Sequence, residues 1–360
     1  MQNYKYNSNP TAIPKRSHTN FSSILINIKC IFIKMNFSAT RKEYVIFFAV
    51  FTFLIFLFTR NYGYFTDRMP VPSLDSEVSD LTTQYIYEFS SIKQSIIRGN
   101  FPVWDMNLNV PLLGLPAART LYFTTLISLI TPSAPEAIKT SMFFYLLLSG
   151  FIVYILARYL KINKPGSFLT AIVWCFNGVS IIKLRQGHFD HFNGFIWLPL
   201  TLYFLLKLFD TKEIKYAVFT GISLSLNIFS GSPQFIYISF IMVSFTTFYF
   251  ILTEIKSSGK IDIGNIVKQK MFPVFLAFAI MLLLSSISLS AIFQFLPYNL
   301  YTHSGGYSDE YLNQGSLDIP HLYTTFFEPY PETVNFSPLS GGWGVLSAYI
   351  SLTVGILALI

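Results

Sequence analysis

Apolar runs recur along the chain, separated alternately by short basic segments and by longer polar, aromatic ones. The runs cover residues 44–59, 138–160, 168–182, 195–208, 216–229, 234–253 and 272–293, and a last one starts near Val345 and reaches Ile360. A helix needs about 20 apolar residues to cross a bilayer, so these runs, several of them short of that, predict about eight spans. Residues 60–139 form a large loop between the first two runs. Within it, 85–98 carries apolar residues near helical spacing and ends at Gly99, which predicts an interfacial helix stopped by a glycine cap. Residues 120–130 are apolar but too short to span. With Pro132 and Pro135 closing them, they are expected to lie in or dip into the membrane surface. The pattern therefore predicts an all-α integral membrane protein. Its expected form is a polytopic helical bundle over 43–360, with a large first outer loop containing interfacial helices and a basic arm at 1–42. The chain stops inside an apolar run, which predicts the front part of a longer protein.

Composition agrees: 52% of residues are hydrophobic, 18% aromatic and only 12% charged, against about 25% charged in an ordinary soluble domain. The formal charge of +7 invites a nucleic-acid partner until the charges are sorted by segment. Basic residues fall between Lys5 and Lys42, at Arg158, Lys161 and Lys164, at Lys207, Lys212 and Lys215, and at Lys256, Lys260, Lys268 and Lys270. The intervening loops hold most of the acids, and residues 294–342 contain no Lys or Arg. This is the positive-inside alternation with a cytoplasmic amino terminus, so the positive surplus directs topology and no nucleic-acid partner is implied. No small-residue cleavage site follows the first run, which reads as an uncleaved signal anchor. Cys30 and Cys175 fall in the basic arm and in an apolar run, so no disulfide between them is expected.

Polar chemistry concentrates in the outer loops. Asp75, Glu77 and Asp80 lie close together, and Asp80 opens the run DLTTQYIYEF leading into the interfacial helix. A carboxylate there either caps the helix or serves as a general base for an incoming hydroxyl. The second outer loop, 183–194, holds His188, Asp190 and His191 beside Lys183 and Arg185. Imidazole next to carboxylate suits a metal, a phosphate or proton transfer, or else merely solvates the end of a span; the spacing matches no strong zinc signature, so no metal site is assigned. Arg119, Lys183 and Arg185 sit at the membrane edge, where they hold a lipid phosphate or snorkel to ordinary headgroups. Gln234, in the turn GSPQ, bonds a sugar hydroxyl or a neighbouring backbone group. The last outer loop mixes Asp309, Glu310, Asp318, Glu328 and Glu332 with Tyr and Pro, a composition compatible with saccharides. There is no P-loop, GxGxxG, HExxH or CxxC, so ATP-driven transport, dinucleotide redox work and zincin proteolysis lack their usual residues. Charges inside the spans are scarce, which weighs against an ion-coupled transporter.

Taken in order, the motifs resemble those of the YfhO family of bacterial multi-spanning membrane proteins, which is similar to the GT-C glycosyltransferases. DLTTQY resembles the family's Asp followed by a Gln-Tyr pair, here Asp80, Gln84 and Tyr85. GNFPVWDMNLNVPLLGLP resembles its Gly-x-Phe-Pro-x-Trp segment, ending at Trp104, and its Gly-x-Pro turn. GHFDHFNGFIWLPL, GSPQFIY, QFLPYNL and SLDIPHLYTTFFEP resemble later family segments, and the match runs over about residues 40–360. The resemblance implies a GT-C-like fold in the bacterial cytoplasmic membrane. It implies transfer of a sugar from a polyprenyl-phosphate donor to a cell-envelope polymer, glycolipid or protein on the outer face. By position, Asp80 would be the base. Leu81 follows it where many GT-C relatives place a second acid, so that acid would come from Asp75, Glu77 or Asp190. His188 and Asp190 would assist or bind phosphate, and Arg119 or Arg185 would hold the donor. Gln84, Tyr85, Trp104, His191 and Gln234 would complete the substrate site. No cofactor is assigned, and a divalent cation is permitted. Two other readings stand beside this one: a lipid-linked saccharide transporter or flippase that binds without reacting, and a scaffold for envelope assembly.

Overall fold

The computed structural model describes residues 41–61, 85–100, 122–177, 180, 189–258 and 263–295, and the regular elements among them are all helical. The basic arm, most of the first outer loop and the span expected after Val345 lie outside the described residues. In chain order the helices are α1 (Arg41–Asn61), α2 (Ile86–Ile97), α3 (Phe123–Ile130), α4 (Ala134–Tyr159) and α5 (Lys164–Cys175). Then come α6 (Phe189–Phe195), α7 (Trp197–Thr211), α8 (Lys215–Phe229), α9 (Pro233–Ser258) and α10 (Phe272–Phe295). A four-residue helix, Ile263–Ile266, and a π-helical turn, Val267–Met271, lead into α10.

Local chemistry sets these boundaries. The expected interfacial helix α2 ends as predicted: Gly99 adopts φ 77°, its N–H donates to the Ile96 carbonyl at 2.9 Å, and the Asn100 N–H donates to Ser95 at 2.9 Å. That pair of bonds satisfies carbonyls the last helical turn leaves open, and the left-handed backbone suits glycine. Two expectations are corrected. Pro135 opens α4 rather than closing the segment before it: Ser133 caps the helix by accepting from the Glu136 N–H, and proline fits where the N–H has no helical partner. The stretch 183–194 is not all loop, because α6 already runs from Phe189 to Phe195. The hydrogen-bond ladder is interrupted at Ile196, whose backbone stays right-handed helical (φ −68°, ψ −24°), because Pro199, in the first turn of α7, has no N–H and its ring would clash with the carbonyl four residues back. The expected span at 168–182 also differs. Helix α5 begins at Lys164, capped by Asn163 accepting from Gly166 N–H at 2.8 Å, and stops at Cys175 after 12 residues.

Four helical stretches among the described residues are long and apolar enough to cross a membrane: Ala134–Tyr159, Asn193–Thr211, Gln234–Lys256 and Val267–Ser290. The first two are mostly buried in protein, while the last two leave most of their surface outside it. Phe245, Tyr249, Phe275, Leu283 and Ile287 are all exposed. Water would not tolerate so continuous an apolar surface, whereas hydrocarbon does. Between α8 and α10 the hydrophobic effect gives no drive in lipid, so close packing holds the pair. Ala217, Gly221 and Ser225 recur at four-residue spacing on α8 and are all buried; Gly221 lies against Ala277 and Ile280 of α10, and the Ser225 hydroxyl donates to the Met281 carbonyl at 3.4 Å. A Cβ on Gly221 would lie 2.6 Å from the Ala277 carbonyl oxygen, so only glycine permits this approach.

Two apolar cores result among the described residues. One gathers α1 to α6 with the start of α7, and the other gathers the rest of α7 with α8, α9 and α10; α7 contributes Trp197 to the first and Leu205 and Leu208 to the second. The basic ends of the helices are tied to one another. Glu43 of α1 is buried, pairs with Arg158 at 3.2 Å and Lys164 at 2.7 Å, and accepts from the Tyr154 hydroxyl. Burial alone would push the Glu43 carboxyl up. The hydrogen bonds from Lys164 and Tyr154 and the charges of Lys164 and Arg158 outweigh that and hold it below its ordinary value. Lys207, read from sequence as one of a basic cluster, is buried inside α7 with its ammonium 5.4–5.5 Å from the ring centres of Tyr159, Tyr203 and Tyr216. Lys270 is likewise buried, 3.3 Å from Glu254 and over the rings of Phe209 and Phe250. At this end Lys161 (φ 65°) and Lys212 (φ 58°) adopt left-handed backbone where α4 and α7 stop.

Candidate functional site

At the opposite helix ends, α2, α3 and α6 pack onto α4, α7 and α9. The short helix α6 is the centre. Its Phe189 is buried among Tyr85 (ring centres 5.9 Å apart), Phe89 (6.0 Å) and Tyr145 (6.2 Å). Its Phe195 stacks on Trp174 at 4.0 Å and meets Phe235 of α9 at 5.8 Å. Buried Tyr and Trp carry polar atoms that need partners. The Trp197 indole N–H donates to the Tyr122 hydroxyl at 2.7 Å, and that hydroxyl donates to the Asn193 carbonyl at 3.1 Å. Thr124 and Tyr145 share a hydroxyl–hydroxyl bond of 2.8 Å, and the Trp174 N–H donates to Ser149 at 3.0 Å. Lys93 of α2 donates to the carbonyls of Thr131 and Pro132, pinning α2 to the turn between α3 and α4. On α8, the Asn227 amide nitrogen donates to the Phe235 carbonyl at 3.3 Å and to Ser239, and Ser230 donates to the Asn227 carbonyl at 2.6 Å.

Several residues singled out in the sequence can be placed. Tyr85 is buried just ahead of α2, so the end of the DLTTQY motif anchors to Phe189. Asp190 and His191 occupy the first turn of α6, and Gln234 is exposed in the first turn of α9. Asp75, Glu77, Asp80, Gln84, Trp104, Arg119, Arg185 and His188 lie outside the described residues. Three separate motif stretches nevertheless converge here: the one ending at Tyr85, the one running from Phe189 to Trp197, and the one containing Phe235. Among the described residues no three His, Cys, Asp or Glu side chains gather as a metal-binding group.

Sequence reasoning missed Tyr122, Asn193 and Glu88. Glu88 is buried and partnered, and its signal was available: it shares one face of α2 with buried Phe89 and Ile92, where a carboxylate is out of place. Asn193 gave a similar signal, one helical turn after Phe189. Tyr122 gave none, because aromatic residues are common throughout this chain. The arrangement is a set of buried amide, hydroxyl and indole groups packed among aromatic rings, most of them hydrogen-bonded to one another.

The chain matches no protein-family model, no curated protein and no solved structure. What defines its class is its own architecture: all-helical over the described residues, with at least four helices fit to cross a bilayer. Over the described residues it is an all-helical protein with several candidate membrane-spanning helices.

Proposed function

We propose that this protein is a GT-C-like membrane glycosyltransferase. It moves a sugar from a polyprenyl-phosphate donor to an envelope acceptor on the outer face of the bacterial cytoplasmic membrane, with its amino terminus in the cytoplasm. The observation that carries this reading is the convergence on α6 of motif stretches far apart in sequence, at the helix ends opposite the basic clusters. Asp80 lies just upstream of the buried anchor Tyr85, and Asp190 and His191 ride on α6 itself. Asp80 acts as the base that takes the acceptor's proton, and His188 and Asp190 assist at the departing phosphate. Arg119 and Arg185 offer planar forks of donors to phosphate oxygens. The sugar–phosphate bond breaks as the acceptor oxygen attacks, and holding the two substrates in line supplies much of the rate. A divalent cation at the phosphate is compatible with these roles.

Sugar incorporation into envelope polymers and glycolipids tests the proposal in cells carrying the intact gene, a deletion or Asp80→Asn. The deletion and Asp80→Asn are expected to remove the same glycan while the mutant protein accumulates to normal levels. If Asp80→Asn restores everything the deletion loses, Asp80 is a helix cap, and the flippase or scaffold readings replace this one.

A further inference from the structure

Lys207 lies one turn before α7 ends at Thr211, and only 8% of it is exposed. Its ammonium sits 5.4 Å from the ring centres of Tyr159 and Tyr203 and 5.5 Å from that of Tyr216, in the first turn of α8. Ring faces attract the charge but take up none of its three N–H groups as ordinary acceptors would. Among the described residues no hydrogen bond and no carboxylate at ion-pair distance meets this ammonium. The two acids nearest along the chain are engaged elsewhere: Asp210 accepts from the Tyr159 hydroxyl, and Glu213 pairs with Lys215. A cation so deeply set is costly without a counter-charge.

The hydroxyls of Tyr203 and Tyr216 share this condition. Each residue is 4% exposed, and neither hydroxyl has a hydrogen-bond partner among the described residues, although buried tyrosines usually find one. None of the three polar atoms is sealed inside the protein, so a group at the helix ends can reach them. What the cluster lacks is an acceptor, since an ammonium only donates and both phenols can donate. Charge decides its sign: residues 207–215 hold three lysines against two acids, and the Tyr159–Asp210 bond brings up the end of α4 with exposed Lys161. The candidate span of α7 ends at Thr211, which puts the cluster at the depth of lipid headgroups. Basic clusters between helices at that depth suit anionic headgroups.

We propose that Lys207, Tyr203 and Tyr216 form a binding site for an anionic phosphate group. Two sources offer that chemistry, the headgroup of an anionic phospholipid and free phosphate. The site is independent of any transferase role.

The test melts the purified chain in maltoside micelles carrying phosphatidylcholine or phosphatidylglycerol at equal mole fraction, and separately in sodium phosphate or sodium chloride at equal ionic strength. A ligand that binds the folded state raises the Tm. Choline carries its own cation, so phosphatidylcholine reports the effect of lipid without net charge. The natural chain is expected to melt higher with phosphatidylglycerol than with phosphatidylcholine, which identifies a lipid headgroup, or higher in phosphate than in chloride, which identifies free phosphate. Lys207→Met, of similar length, abolishes that difference. Tyr203→Phe combined with Tyr216→Phe keeps both rings and reduces it, and this pair decides the matter where Lys207→Met does not fold. Lys256→Gln, which removes an exposed charge near the end of α9, leaves it intact. The proposal is overturned if neither anion raises the Tm, if the difference survives in Lys207→Met, or if it is unchanged in the tyrosine pair. It is also overturned if Lys256→Gln loses as much as Lys207→Met, because overall charge then explains the shift.

Discussion

At the scale of single residues, the charges at the basic helix ends behave differently from what their spacing implies. Glu43 is buried, and two cations and a tyrosine hydroxyl hold its carboxyl below its usual pKa. Stability from such a group is complete above the unfolded value and is lost as pH falls through the lower folded one. The Tm of the natural chain should therefore drop as pH is lowered through and below about 4.5, the ordinary value for this group. Glu43→Gln should cost about 2 kcal/mol near neutral pH, since Lys164 is half exposed and adds little, and should flatten the acid limb. Melting curves across pH check both. The sequence shows the positive-inside pattern of Lys207 and Lys270 but not their burial. Charge alternation reads from one dimension, whereas a cage of Tyr159, Tyr203 and Tyr216 exists only after three helices meet. Asn193 is hidden for a related reason: an amide on an apolar stripe is visible, but whether it finds a partner is decided by neighbouring helices.

At the scale of elements, periodicity located the helices and short-range chemistry decided where they begin and end. The glycine cap of α2 was legible because it depends on a residue and its immediate neighbours. Pro135 and Pro199 were harder, since proline closes one helix as readily as it opens the next, and only the Ser133 cap and the interrupted ladder at Ile196 settle which. Pairing between elements was not legible at all. The contact of α8 with α10 depends on Gly221 facing a carbonyl of a helix more than fifty residues later. Gly221→Ala puts a methyl where the Ala277 oxygen already sits. It should destabilise the bundle by roughly 1–3 kcal/mol, the usual range for overpacking. Thermal unfolding in detergent is the measurement, with Val218→Ala on the exposed side of α8 as a near-neutral control.

At the scale of the whole molecule, composition and the apolar runs were enough for an all-helical chain with several candidate spans. The structure ties the basic ends together through Glu43, Lys207 and Lys270, and the motif ends together through α6. The proposed orientation can be tested on a single helix: α9 has exposed Gln234 near its start and exposed Lys256 near its end. With Cys30 replaced by serine and Cys175 buried, Gln234→Cys should react with an impermeant maleimide on intact cells, and Lys256→Cys only after permeabilisation. Labelling of both from outside would refute the proposed orientation. The two lysines in left-handed backbone, Lys161 and Lys212, carry one more consequence. Glycine would relax the chain at either position, yet under the proposed orientation it would erase a charge of the kind that insertion machinery reads while helices are still threading. At these turns an engineer seeking a sturdier fold would be editing the instructions for which way round the protein enters the membrane.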